Sequence, residues 1–149
     1  LNNVFGSCYK ITSIGDGLFA NCTQVISVNS TFTSCTGITS IPENLFSNCI
    51  NVNDVYGLFG GCSSLTTIPN NIFNNNKKIN NFEQTFSNCV SITGTTPTGT
   101  DNLELWERAG QTDYPSTING RYCFYHCTGF SCASQCYPGS FLCGCTYSL

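Results

Sequence analysis

The sequence predicts a repeat solenoid: short parallel β-strands joined by short helical turns, wound in 27-residue coils and closed by a cysteine-rich C-terminal cap. Three observations predict it. The motif Phe-x-x-Cys recurs at Phe5/Cys8, Phe19/Cys22, Phe32/Cys35, Phe46/Cys49, Phe59/Cys62 and Phe86/Cys89, and Phe73 keeps the register with Asn76 in the cysteine position. Successive Phe spacings alternate between 14 and 13, so the true period is 27 residues made of two unequal halves. Finally, the register stops near residue 96, and half of the 12 cysteines are gathered between Cys123 and Cys145.

The region 1–96 is the expected solenoid. Its first half-unit carries Ile11-Thr12-Ser13-Ile14, Ile38-Thr39-Ser40-Ile41 and Leu65-Thr66-Thr67-Ile68, which predict strands over 11–14, 38–41 and 65–68, with a further one over 91–95. Pro42 and Pro69 close two of these segments, and each suits the first position of a helical turn, where its missing N–H is not needed. The second half-unit carries Val25-x-x-Val28, Val52-x-x-Val55 and Ile79-x-x-Phe82. A single coil cannot bury its apolar edge alone, so stacking must supply the core. Each buried Phe contributes roughly 1.5–3 kcal/mol, which makes the seven array phenylalanines the main stabilising column.

The region 97–149 is the expected cap. After the turn-rich run Gly94-Thr95-Thr96-Pro97-Thr98-Gly99-Thr100, residues 101–109 read as a short amphipathic helix capped by Asp101 or Asn102. Leu103, Leu105 and Trp106 would then cover the last coil, with Glu104, Glu107 and Arg108 on a solvated face. Phe124-Tyr125-His126-Cys127-Thr128-Gly129 repeats the array pattern after an insertion and predicts one more strand rejoining the sheet. The chain opens mid-unit at Leu1, from which more chain or a partner surface is expected upstream.

Repeats of the form Phe-x-x-Cys-x-x-Leu/Ile-Thr-x-Ile-Pro resemble the leucine-rich repeats of BspA-like bacterial surface proteins, and the longer unit is similar to a related surface-repeat family of mycoplasma lipoproteins, gut bacteria and phages. Phe32-Thr33-Ser34-Cys35-Thr36-Gly37-Ile38-Thr39-Ser40-Ile41-Pro42 matches the pattern best, and the resemblance covers residues 5 to about 97. It implies a leucine-rich-repeat-like solenoid displayed on a cell or virion surface, with a role in binding or adhesion. Asn76 and the cysteine-dense end depart from the pattern.

Composition narrows the function classes. Only 9% of residues are charged and the net charge is −3, so the five Lys and Arg cannot line a phosphate-tracking surface and nucleic acid is not an expected partner. No apolar run is long enough to span a membrane. The single His126 and eight dispersed carboxylates form no catalytic constellation, and no phosphate-binding loop or nucleophile elbow is present. An extracellular, non-enzymatic chain without a cofactor is the expectation.

Several residues are candidates for sites. The column Thr12, Thr39, Thr66 and Thr93 recurs at 27-residue spacing. It reads either as a solvated β face or as a flat surface that contacts a glycan or protein. The other half offers Asn53 and Asn80 on a column that varies from coil to coil, with Tyr9 and Tyr56 as scattered aromatic contacts. The six array cysteines are small residues for tight corners or, alternatively, disulfide partners. Cys123, Cys127, Cys132, Cys136, Cys143 and Cys145 occupy a segment too poor in apolar residues to pack alone, and are disulfide candidates, with a metal site or reduced thiols as alternatives. Asn21-Cys22-Thr23 and Asn29-Ser30-Thr31 are glycosylation sequons only if the chain passes through a eukaryotic secretory route. The expected function is adhesion to a protein or glycan through the exposed coil face. The alternative is a structural subunit of a virion fibre, surface layer or filament that self-assembles through its uncapped first coil.

Overall fold

The computed structural model describes residues 1–105 and 107–129. Up to residue 96 the chain runs in 27-residue layers, each lying on the next, and after an insertion it adds one more layer. Phe5, Phe32, Phe59, Phe86 and Phe124 form one ring column, with successive centroids 5.3, 5.4, 5.7 and 5.6 Å apart and planes within 11° of parallel. Phe19, Phe46 and Phe73 form a second, at 5.4 and 6.1 Å. The two columns touch edge-on, as at Phe46 and Phe59 (6.5 Å, 63°). Offset and tilted ring pairs of this kind add about 0.5–1.5 kcal/mol each beyond the area they bury.

Layers are joined by backbone hydrogen bonds. Val28, Ser30, Phe32 and Ser34 N–H donate to the carbonyls of Asp54, Tyr56, Leu58 and Gly60, and Val55, Gly57, Phe59 and Gly61 donate in the same way to Asn81, Glu83, Thr85 and Ser87. Parallel bridges connect Ser27 to Asp54, Asp54 to Asn81, and Asn81 to Asn119. Strands were expected in the other half-unit, over 11–14, 38–41, 65–68 and 91–95; among the described residues no strand is formed there, and Gly94 is a bridge position. Rungs in that half include Thr66 N–H to Thr39 C=O (3.1 Å) and Thr93 N–H to Thr66 C=O (2.9 Å). The reason is in the pattern: Ile38 and Ile41 are buried while Thr39 and Ser40 are exposed. Inward residues three apart fit a bend, whereas a strand alternates every two.

Each Phe-x-x-Cys closes a four-residue turn, with the Cys N–H donating to the Phe carbonyl at 2.9–3.2 Å in examples such as Cys22 and Cys89. In the Phe32 half of each layer, two such turns follow one another and the third residue of each is left-handed: Ser30 and Ser34, Gly57 and Gly61, Gln84 and Asn88, Tyr122 and His126.

A Ser/Asx column seals the bridge line. Asp54 accepts from Asn29 Nδ2 (2.6 Å) and Asn81 Nδ2 (2.8 Å), and Asn81 accepts from Asn119 Nδ2 (3.1 Å). Ser27, Asp54, Asn81 and Asn119 each also cap the amide two positions on, as Asp54 Oδ1 does for Tyr56 N–H (3.2 Å). The Asp54, Asn81 and Asn119 side chains therefore hold layers together on this line.

The expected helix over 101–109 does not form. The only helix among the described residues is the 3-10 turn Gly99–Asp101, ended by Asn102 at a left-handed φ of 56°. The segment nonetheless covers a layer: Gly99 N–H donates to Asn70 C=O (3.1 Å), and Thr100 N–H to Asn74 Oδ1 (3.0 Å). Leu105 is buried, and Trp106 lies outside the described residues. Arg108, expected on a solvated face with Glu104 and Glu107, is buried instead. It donates to the carbonyls of Phe73 (3.4 Å) and Thr98 (3.2 Å) and pairs with Asp101 at 3.5 Å. Burial works to raise the Asp101 carboxyl, but hydrogen bonds from Tyr114 and the Leu103 amide, with the Arg108 charge, hold it below the ordinary value. After this insertion the chain re-enters the stack, with Phe82, Gln84 and Phe86 N–H donating to Asn119, Arg121 and Cys123 carbonyls.

Candidate functional site

The turns facing inward hold thiols. Cys35, Cys62, Cys89 and Cys127 Sγ each donate to the carbonyl of the Phe one layer earlier, Phe5, Phe32, Phe59 and Phe86, at 3.0–3.2 Å, and Cys49 does so to Phe19 at 3.7 Å. Asn76 takes the same role with an amide, donating to Phe46 C=O at 3.0 Å. The cysteine position thus asks for a small donor, which explains both the repetition and the exception. Among the array cysteines all six carry free thiols, and burial pushes Cys62 up to about 12. Of the six disulfide candidates, Cys123 is a buried free thiol and Cys127 repeats the array geometry. Cys132, Cys136, Cys143 and Cys145 lie outside the described residues. No group of three His, Cys, Asp or Glu that could hold a metal occurs among the described residues.

The exposed candidates fall into separate places. Thr39, Thr66 and Thr93 are exposed neighbours, but the hydroxyls of Thr66 and Thr93 donate to the carbonyls of Thr39 (3.1 Å) and Thr66 (3.4 Å). Only their acceptor side is turned to solvent. Thr12 is exposed in the first layer. Asn53 and Asn80 adjoin through Asn80 N–H to Asn53 C=O (2.9 Å) in the other half-unit, and Tyr9 stands out at 68% exposure. Asn29 of the second sequon spends its amide on Asp54, while Asn21 of the first is exposed. His126 is exposed and Cys127 buried, so the neighbours point apart and form no nucleophile–base pair.

Tyr56 belongs to a different feature. Its hydroxyl donates to Gln84 Oε1 (3.2 Å) at one end of an open groove of about 260 Å³. Three layers build this groove. Gly57, Gly60 and Gly61 are its floor, Ser30, Thr33 and Ser34 one wall, and Gln84, Ser87 and Asn88 the other. The signal was present in the sequence: aligned at the 27-residue period, three glycines stand where both flanking units carry polar side chains.

One layer beyond the groove lies an aromatic cluster. Tyr125 stacks on His126 (centroids 3.9 Å, 20°), Tyr122 meets Tyr125 edge-on at 5.4 Å, and Arg121 lies 4.8 Å over the Tyr122 ring. His126 Nδ1 is 3.2 Å from Oδ1 of Asn88 in the groove wall, so ring cluster and groove are contiguous.

Compared with known proteins, the chain matches no family model and no curated sequence.

Proposed function

We propose that the chain is a leucine-rich-repeat-like solenoid, of the kind the BspA-like resemblance implies, and that it serves as a non-enzymatic recognition or adhesion module at a cell or virion surface. It binds a protein or glycan through outward side chains while the inward ones keep the stack in register. One observation carries this reading. Inward positions repeat from layer to layer as Phe, Cys, Ile and Leu, whereas outward positions on the same frame change, as in Ser34, Gly61, Asn88 and His126. A constant frame with a varied face is how stacked repeats present a binding surface. That face is rich in hydroxyl and amide groups and poor in charge, which suits hydrogen-bonded recognition of polar partners over electrostatic capture.

The test is saturable binding of the chain to arrayed oligosaccharides and arrayed cell-surface proteins. Loss of binding in a Thr39→Ala/Thr66→Ala variant would put the site on the threonine column. Binding unaffected by that change would move it elsewhere on the face, and an absence of saturable binding on both arrays would contradict the recognition role.

A further inference from the structure

We propose that the glycine-floored groove is a saccharide subsite, holding one or two residues of a neutral pyranose chain with the Tyr122–Tyr125–His126 cluster as its aromatic ledge. This rests on the recognition reading and gives it a place and a ligand class.

Backbone geometry does not require the glycines. Gly57 and Gly61 are left-handed, yet Ser30 and Gln84 (φ 53° and 57°), and Ser34 and Asn88 (57° and 60°), take the same conformation at the equivalent positions of flanking layers. Gly60 has no such φ, and its equivalents are Thr33 and Ser87. Left-handed backbone disfavours but does not forbid side chains, and a Cβ on Gly57, Gly60 or Gly61 would lie 3.2–3.3 Å from Ser30 Oγ, Gln84 O and Ser34 Oγ, so the three glycines both let the layers approach closely and leave the groove open.

The chemistry of that space selects its occupant. Every lining residue is uncharged, and hydroxyls and amides converge on it from both walls. Among the described residues Asp54, which caps the Tyr56 amide, and Glu83 in the next layer bring carboxylates to the Tyr56 end, Arg121 lies over the Tyr122 ring, and no charge lines the groove itself, which suits a neutral sugar. A volume near 260 Å³ is below the roughly 300–1,000 Å³ of pockets that enclose a drug-sized molecule. An open groove of this size suits a segment of a chain. A peptide strand is a poorer fit, because strand addition needs free backbone groups. Here the N–H groups of Gly57, Gly60 and Gly61 are already bonded to Glu83, Gly57 and Ser87 carbonyls. A pyranose satisfies both surfaces, with ring hydroxyls in the groove and an apolar C–H face against the exposed Tyr125 ring.

The test uses the full chain on an array of immobilised neutral and sialylated oligosaccharides, beside a protein array. Gly57→Gln with Gly60→Ser fills the groove with the next layer's own residues, Gly60→Ser alone is the milder version, and Tyr125→Ala removes the ledge. Thermal unfolding of each variant establishes that it folds. The expected result is binding to neutral oligosaccharides, weakened roughly tenfold or more by groove filling and by Tyr125→Ala, and changed less than about twofold by Thr39→Ala/Thr66→Ala. Undiminished binding in the folded Gly60→Ser and double variants would overturn the subsite, as would binding to sialylated chains alone. Protein binding without sugar binding would overturn this inference and leave the recognition reading standing. No binding on either array would overturn both.

Discussion

Asn76 donates to the carbonyls of Phe46 and Cys49 at 3.0 and 2.9 Å, from the position where other layers place a thiol. Removing a donor from a buried carbonyl leaves a desolvated acceptor unpaired, which costs roughly 1–3 kcal/mol. Asn76→Ala is therefore expected to lower the urea midpoint by that order, and Asn76→Cys to recover much of the loss; equal midpoints for the two would contradict the donor role. The thiols permit a second prediction. Burial raises Cys35, Cys49 and Cys62, the last to about 12. In the folded chain they stay protonated at pH 8 and resist alkylation until unfolding, whereas the half-buried Cys8 and Cys22 react first. The sign for stability follows from linkage: below the ordinary value of 9.0 both states hold the proton, and above it the unfolded state ionises more easily. Stability should fall as pH rises from 9 towards 12, and a flat urea midpoint across that window would contradict it. The inward role of these residues was legible from Phe-x-x-Cys spacing alone. Their hydrogen-bonded partner was not, because a carbonyl 30 residues earlier is reached only once the layers stack.

Within a single layer, close approach and side-chain anchoring decide what forms. A Cβ on Gly37 would sit 2.7 Å from Ile11 O and 2.9 Å from Tyr9 O, both backbone atoms of the preceding layer, whereas one on Gly15 would meet nothing within 4 Å. Gly37→Ala should destabilise by about 1–3 kcal/mol and Gly15→Ala should be neutral or slightly stabilising; thermal unfolding of the pair checks this. Residues 98–108 depend on Arg108, whose side chain reaches Phe73 and Thr98 carbonyls. Arg108→Ala is expected to release this segment, seen as faster hydrogen exchange at Gly99 and Thr100 while Phe32 and Phe59 amides stay protected. Residues 101–109 read as a short amphipathic helix capped by Asp101 or Asn102, and none forms there. What overrode it was local: Asn102 turns left-handed, and Asn70 and Asn74 side chains capture the preceding backbone.

At the scale of the molecule, the alternating 14 and 13 spacings from Phe5 to Phe86 map directly onto the two ring columns. Which half-unit carries the backbone ladder was not. Ile-Thr-Ser-Ile looks more β-like than Val-Asn-Asp-Val, yet the second supplies the bridges. Its Ser, Asp and Asn side chains bond to each other across layers, a cooperative term that no single-unit propensity contains. The groove was legible too, although only when whole units are aligned and their outward positions compared. These features make the frame a set of equivalent layers carrying inequivalent faces, and the recognition reading stands on that division.

Residue-resolved hydrogen exchange tests the frame most directly. Stacked layers require protected amides to recur at the period: Val28 with Val55, Ser30 with Gly57, Phe32 with Phe59 and Phe86, and Ser34 with Gly61 and Asn88. Protection confined to 11–14, 38–41 and 65–68, or absent from the recurring set, would contradict the account.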